Sequence, residues 1–121
     1  MIVRLRSGVR RAAGHKDFAV QIGVAVPLND PSSDGLPTAD ESQQLGAIEE
    51  RLSKDLEEPR RAVLTAVITT SGMREFVLYT GSKGWIRDWT ERFQAETATH
   101  QIQVMSQPDP KWSVYRSLAG D

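Results

Sequence analysis

Between Asp17 and Leu28 apolar residues alternate with small or polar ones. Phe18, Val20, Ile22, Val24 and Val26 fall on one side, and Ala19, Gln21, Gly23 and Ala25 on the other. A period of two marks a strand with one heavily buried face. Pro27 ends it, and the turn formers from Asn29 to Pro37 make a loop. From Thr38 the period changes: Leu45, Ile48, Leu52 and Leu56 recur at spacings of three and four, which predicts an amphipathic helix. Thr38-Ala39-Asp40-Glu41 reads as a capping box in which both Thr38 and Glu41 satisfy backbone N–H groups at the helix start. Glu49, Glu50, Ser53 and Lys54 form its solvated side, and Pro59 stops it. Arg61 to Thr70 is rich in β-branched residues; Ser71-Gly72-Met73 turns the chain, and Arg74 to Thr80 returns as the second strand of a hairpin. A second helix, capped by Ser82, carries the aromatic stripe Trp85, Trp89 and Phe93. Gln101 to Gln107 alternates once more, with Ile102 and Val104 inward and Gln103 and Met105 outward. After Asp109-Pro110 the chain opens a short helix with Trp112, Tyr115 and Leu118 inward, or bends into an edge strand; so short a pattern fits both.

The order βαββαβ predicts an α+β fold of ferredoxin-like type, a four-stranded antiparallel sheet with two helices on one face. It carries short N- and C-terminal additions. Residues 1–121 make a single domain: 1–16 a basic strand and loop extension, 17–107 the core, and 108–121 a segment packing on it. The heavy strand faces and the aromatic stripe form the core under the helices. The opposite sheet face would carry Ala19, Gln21, Gly23 and Ala25, then Thr65, Val67 and Thr69, then Val77 and Tyr79, and last Gln103 and Met105. A flat, partly apolar face of this kind is rarely left wholly to solvent. A partner, a second copy or the chain's own ends should cover part of it. The binding residues expected there are Gln21, Gly23, Thr65, Val67, Tyr79 and Gln103.

Composition narrows the chemistry. The chain has 121 residues, 39% hydrophobic and 26% charged, which is enough for one core and disfavours disorder. With no cysteine, disulfides, thiolate zinc sites and cysteine nucleophiles are excluded. A net charge of −1 gives no general attraction to phosphate backbones or anionic membranes. No apolar run is long enough to span a bilayer. The start is basic and free of acids until Asp17, as in a transit peptide, but Ile2 to Arg6 reads better as a first strand followed by a loop. No secretory signal is visible, and the expected location is cytoplasmic.

The usual catalytic constellations are missing. His15 and His100 have no metal-ligand spacing and read as surface residues. No GxGxxG, Walker or GxSxG pattern occurs. Asp30 to Glu41 places Asp, Ser, Asp, Gly and Glu at calcium-loop positions one, three, five, six and twelve. Two prolines and the use of Glu41 in the capping box favour a plain turn. The run Gly72 to Tyr79 matches only the Phe-Val-x-Tyr end of an RNA-recognition strand; Arg74 stands where a stacking aromatic belongs. No catalytic residue, metal ligand or cofactor is nominated, and neither nucleic acid nor membrane is an expected partner.

Three stretches carry a resemblance. Val20 to Leu28 with Gly35-Leu36-Pro37, Ala66 to Thr80, and the closing Gln107-Pro108-Asp109-Pro110-Lys111-Trp112-Ser113-Val114-Tyr115 resemble an uncharacterised bacterial family catalogued as domain of unknown function 695. Some of its members carry a further domain similar to a regulator of ribonuclease E. The resemblance implies a bacterial α+β domain with a regulatory, protein-binding role, and no catalytic residue. The leading expectation is a non-enzymatic regulatory or interaction domain that uses its open sheet face for a protein partner or a second copy of itself. The alternative is a small-molecule-binding domain or enzyme, with a pocket between the hairpin and Trp112–Tyr115 lined by Arg74, Glu75, Tyr79 and Arg116.

Overall fold

The computed structural model describes residues 1–120. Its strands are β1 (Ile2–Leu5), β2 (Val20–Pro27), β3 (Val63–Thr70), β4 (Met73–Thr80) and β5 (Gln103–Pro108); its helices are α1 (Ala39–Leu52), α2 (Ile86–Glu96) and α3 (Ser113–Ala119). The strands form one open sheet in the order β1-β3-β4-β2-β5, every neighbour antiparallel. The sheet therefore has five strands where four were expected. The N-terminal stretch is its fifth member, with Ile2 to Leu5 paired to Thr69 to Ala66 of β3. The C-terminal segment is a helix.

Two cores lie on opposite sides of this sheet. On one side α1 and α2 bury Leu45, Ile48, Leu52, Trp89 and Phe93 against Ile22, Val24, Phe76 and Leu78. This is the two-helix layer the periodicities require, with Trp89 and Phe93 stacked at 4.8 Å. Trp85 is half-buried at the cap position of α2, whose start lies beyond the expected cap Ser82. On the other side α3 and the chain between β1 and β2 cover Ala66, Ile68, Val77 and Tyr79 with Val9, Trp112 and Tyr115. The chain's own ends thus cover much of the second face.

One irregularity decides which residues reach which side. The β3–β4 register shifts between Leu64 and Ala66, so Thr65 is a bulge. Its hydroxyl donates to Val77 O at 2.9 Å and the residue is buried. Beyond the bulge the alternation is inverted: Val67 joins the core under α1 and α2, opposite Phe76, while Ala66 and Ile68 face α3. Glu57 holds this arrangement from the helical side. α1 ends in a π-helical turn, Ser53–Glu57, and the Glu57 carboxylate accepts from Leu64 N at 3.1 Å and from Arg6 Nη1 at 2.9 Å.

The α1 start differs from a simple capping box. Thr38 Oγ1 accepts from Glu41 N at 3.2 Å, as expected. The Glu41 side chain turns inward instead. It accepts from the backbone N–H groups of Asn29 and Asp30 and from His100 Nε2 at 2.7 Å. His100 is therefore not a surface residue: its side chain and that of Glu41 are both buried, joining the start of α1 to the loop before β5, 59 positions along the chain.

Candidate functional site at the rim of the sheet

The six residues singled out on the second face separate into two groups. Thr65, Val67 and Tyr79 are buried inside the fold, Val67 on the opposite face because of the bulge. Tyr79 is sealed under α3 and is 0% exposed. Gln21 and Gly23 are buried as well, but with the exposed Gln103 they stay together near β5, with Gln21 opposite Gln107, Gly23 opposite Met105 and Ala25 opposite Gln103. Of the side chains suggested for a pocket by the C-terminal segment, Arg74 lies on the α1 side, where its Nε donates to Thr69 Oγ1 at 3.2 Å. Arg116 donates to Lys111 O at 2.8 Å. The Trp112 indole fills the space between the hairpin and α3, stacked on Tyr79 with ring centroids 4.0 Å apart.

A buried polar latch fastens α3 there. Asp109 accepts from Tyr79 Oη at 2.7 Å, from Ser113 N at 2.8 Å and from Val114 N at 3.0 Å. It is the cap that the first N–H groups of α3 require. Tyr79 Oη accepts in turn from Tyr115 N at 3.2 Å. Burial, then the Asp109 carboxylate, raises the Tyr79 phenol well above its ordinary pKa of 10.0, so it donates throughout the useful pH range. For Asp109 burial alone would raise the carboxyl, but the donors from Tyr79, Val114 and Ser113 outweigh it and hold it below its ordinary 3.8. Glu41 behaves alike: against burial, the N–H groups of Asn29 and Asp30 and the His100 ring hold it below 4.5.

These two carboxyls make an acid-labile pair of fasteners. A carboxyl with a depressed folded pKa contributes its full stability above its unfolded pKa, and the contribution fades as pH falls through the folded value. The thermal midpoint is expected to hold from neutral pH to about 5 and to drop below about 4.5. Asp109→Asn should lower it at neutral pH and flatten the acid slope. A wild-type midpoint unchanged down to about pH 3 would contradict this assignment.

What α3 leaves uncovered is the β5 side of the sheet. There a groove of about 320 Å³ has Gln21 and Gly23 as its floor and Glu75, Met105, Gln107 and Val114 as its walls. Gln107 Nε2 donates to Gln21 Oε1 at 3.1 Å across it. Gly23 keeps it open, because a Cβ there would lie 3.6 Å from both Gln21 Nε2 and Glu75 Oε2. On the other face of the same strand a shallow concavity of about 410 Å³ runs between β5 and α2, lined by Lys83, Arg87, Glu91, Val104 and Ser106. A third, of about 250 Å³, lies at the Ser106–Pro108 end beside Lys83.

β5 itself pairs only with β2. Its outer row of backbone N–H and C=O groups is open, and none of its six residues is charged. The other edge strand, β1, carries Arg4, ion-paired with Glu49 of α1. The rim therefore offers backbone hydrogen bonds with side-chain recesses on both faces. Among the described residues no three metal-ligating side chains are grouped to hold an ion, and no helix is long and apolar enough to cross a membrane. No curated protein and no solved structure matches the chain. The family profile that does match spans residues 1–118, and the chain belongs to that family, the family of unknown function DUF695.

Proposed function

We propose that this member of the family is a non-enzymatic interaction module that holds a protein partner along the free edge of β5. The observation that carries the reading is the coincidence of an uncharged, unpaired strand edge with a recess on each face of the sheet. An added strand gains affinity from main-chain hydrogen bonds, and its side chains alternate between the two faces. Here alternate side chains would enter the Gly23–Glu75 groove and the Lys83–Arg87 concavity. The unsealed part of the second sheet face supports the same reading, since Gln21, Gly23 and Gln103 all lie beside this edge.

Gly23→Val fills the groove with a strand-forming residue whose Cβ meets its neighbours at ordinary contact distance. Met105→Lys puts a charge on the edge at an exposed position. Immobilised wild-type chain is expected to retain proteins from extracts of its own source cells that both variants release. Arg4→Glu, on the opposite edge, should retain them. If all four baits hold the same proteins, β5 is not the binding edge.

A further inference from the structure

β5 has nearly the same pattern read in either direction from its centre: Gln103-Val104-Met105-Ser106-Gln107. We propose that the occupant of this edge is β5 of a second copy, paired antiparallel about a two-fold axis that passes at Met105. The proposal rests on the reading of β5 as the binding edge and names its partner. Such a contact is isologous, each copy presenting the same strand to the other, and it joins the two sheets into one.

Register follows from the side-chain alternation. Directly opposed residues of an antiparallel pair must lie on the same sheet face, and a slip of one residue would set opposite faces against each other. Centring on Met105 opposes Met105 to its own copy, Gln103 to Gln107, and Val104 to Ser106. The neighbouring allowed registers, centred on Val104 or Ser106, would instead face Met105 with Gln103 or with Gln107. Met105 is 67% exposed, the most exposed large apolar side chain among the described residues apart from Met1. The Met105-centred register covers it with an apolar partner and leaves the amides to bond each other.

Charge favours the same arrangement. Self-pairing opposes no like charges along β5, whereas β1 carries the cationic Arg4. On the helix side, Lys83 lies at the Ser106–Pro108 end of β5, while Gln94 Nε2 donates to Ile102 O at the other end, 2.8 Å away. α2 thus runs antiparallel to β5. The two-fold axis then turns the basic start of one α2, Lys83 and Arg87, toward Glu91 of the other.

The test is a charge swap on the axis, read by light scattering on a sizing column over a range of concentrations. Wild-type chain should associate as a dimer. Met105→Lys and Met105→Glu should each be monomeric, because the axis sets two like-charged side chains directly opposite each other, on Cα atoms about 5 Å apart. Their equimolar mixture should recover the dimer, which also shows that both variants fold. A monomeric wild-type chain overturns the proposal. So does a dimer that survives in both single variants, and a mixture that stays monomeric removes Met105 from the axis. A monomeric wild type that still releases its captured proteins on Gly23→Val would overturn self-pairing alone and leave β5 as the binding edge.

Discussion

Trp112→Ala is expected to cost about 3–5 kcal/mol and to loosen α3 from the sheet. The indole is 0% exposed. It stacks on Tyr79 and meets Phe18 and Tyr115 edge-on with centroids 6.4 Å and 5.5 Å away. Its Nε1 donates to Phe18 O at 2.7 Å. Truncation leaves a cavity between α3 and β4 and an unpaired carbonyl beside it, and both terms destabilise. The residue also sits in the left-handed region, at φ 58°. That conformation costs a non-glycine residue about 1 kcal/mol, which alanine does not relieve and glycine does. Trp112→Gly should therefore be no worse than Trp112→Ala, although glycine elsewhere loses more entropy on folding. Denaturant unfolding measures the difference. A loss under about 1 kcal/mol for Trp112→Ala would show that α3 is outside the cooperative unit.

Glu41→Ala should be comparably damaging, about 3–5 kcal/mol. The carboxylate is 4% exposed and accepts from His100, Asn29 and Asp30, so its removal strands the buried His100 ring nitrogen and two part-buried backbone N–H groups at once. The two loops it joins, after β2 and before β5, should both gain mobility, with a matching rise in amide exchange at Asn29 and Asp30. The double variant with His100→Leu should cost less than the two single losses combined. Removing both partners no longer leaves the buried His100 ring nitrogen unmatched, and only the Asn29 and Asp30 N–H groups lose their acceptor. Strict additivity in equilibrium unfolding would mean that the two side chains do not act as a pair.

Neither of these fasteners was legible as such in the sequence, though every strand and both long helices were. Period-two and period-3.6 patterns report which side of an element is apolar, and β2, α1 and β5 obeyed them. They do not report distance in space. Glu41 looked spoken for by its own helix cap, and only the fold brings His100 to it. Likewise the alternation through Thr65, Val67 and Thr69 is regular in the sequence, and one bulge residue inverts it. That is why Val67 moved from the expected open face to the core, and Tyr79, correctly placed by alternation, was hidden by a helix whose type the pattern left open. Asp109, four residues before Ser113, carried the one local signal of that helix's capped start.

The site was half legible for the same reason. Gln21 and Gly23 lie in regular β2 and Gln103 in regular β5, so their face could be read from parity. That β5 would be a bare edge, and that α3 would seal the β3–β4 side and not the β5 side, depends on strand order. With β1 carrying the ion-paired Arg4 and the β3–β4 side of the second face closed by α3, β5 is the part of the sheet left to bind. Amide hydrogen exchange of β5 as a function of protein concentration tests this most directly. The outward N–H groups between Gln103 and Gln107 should gain protection as concentration rises and lose it in Met105→Lys, while β1 amides stay unchanged. Exchange in β5 that is fast and independent of concentration would contradict pairing at this edge.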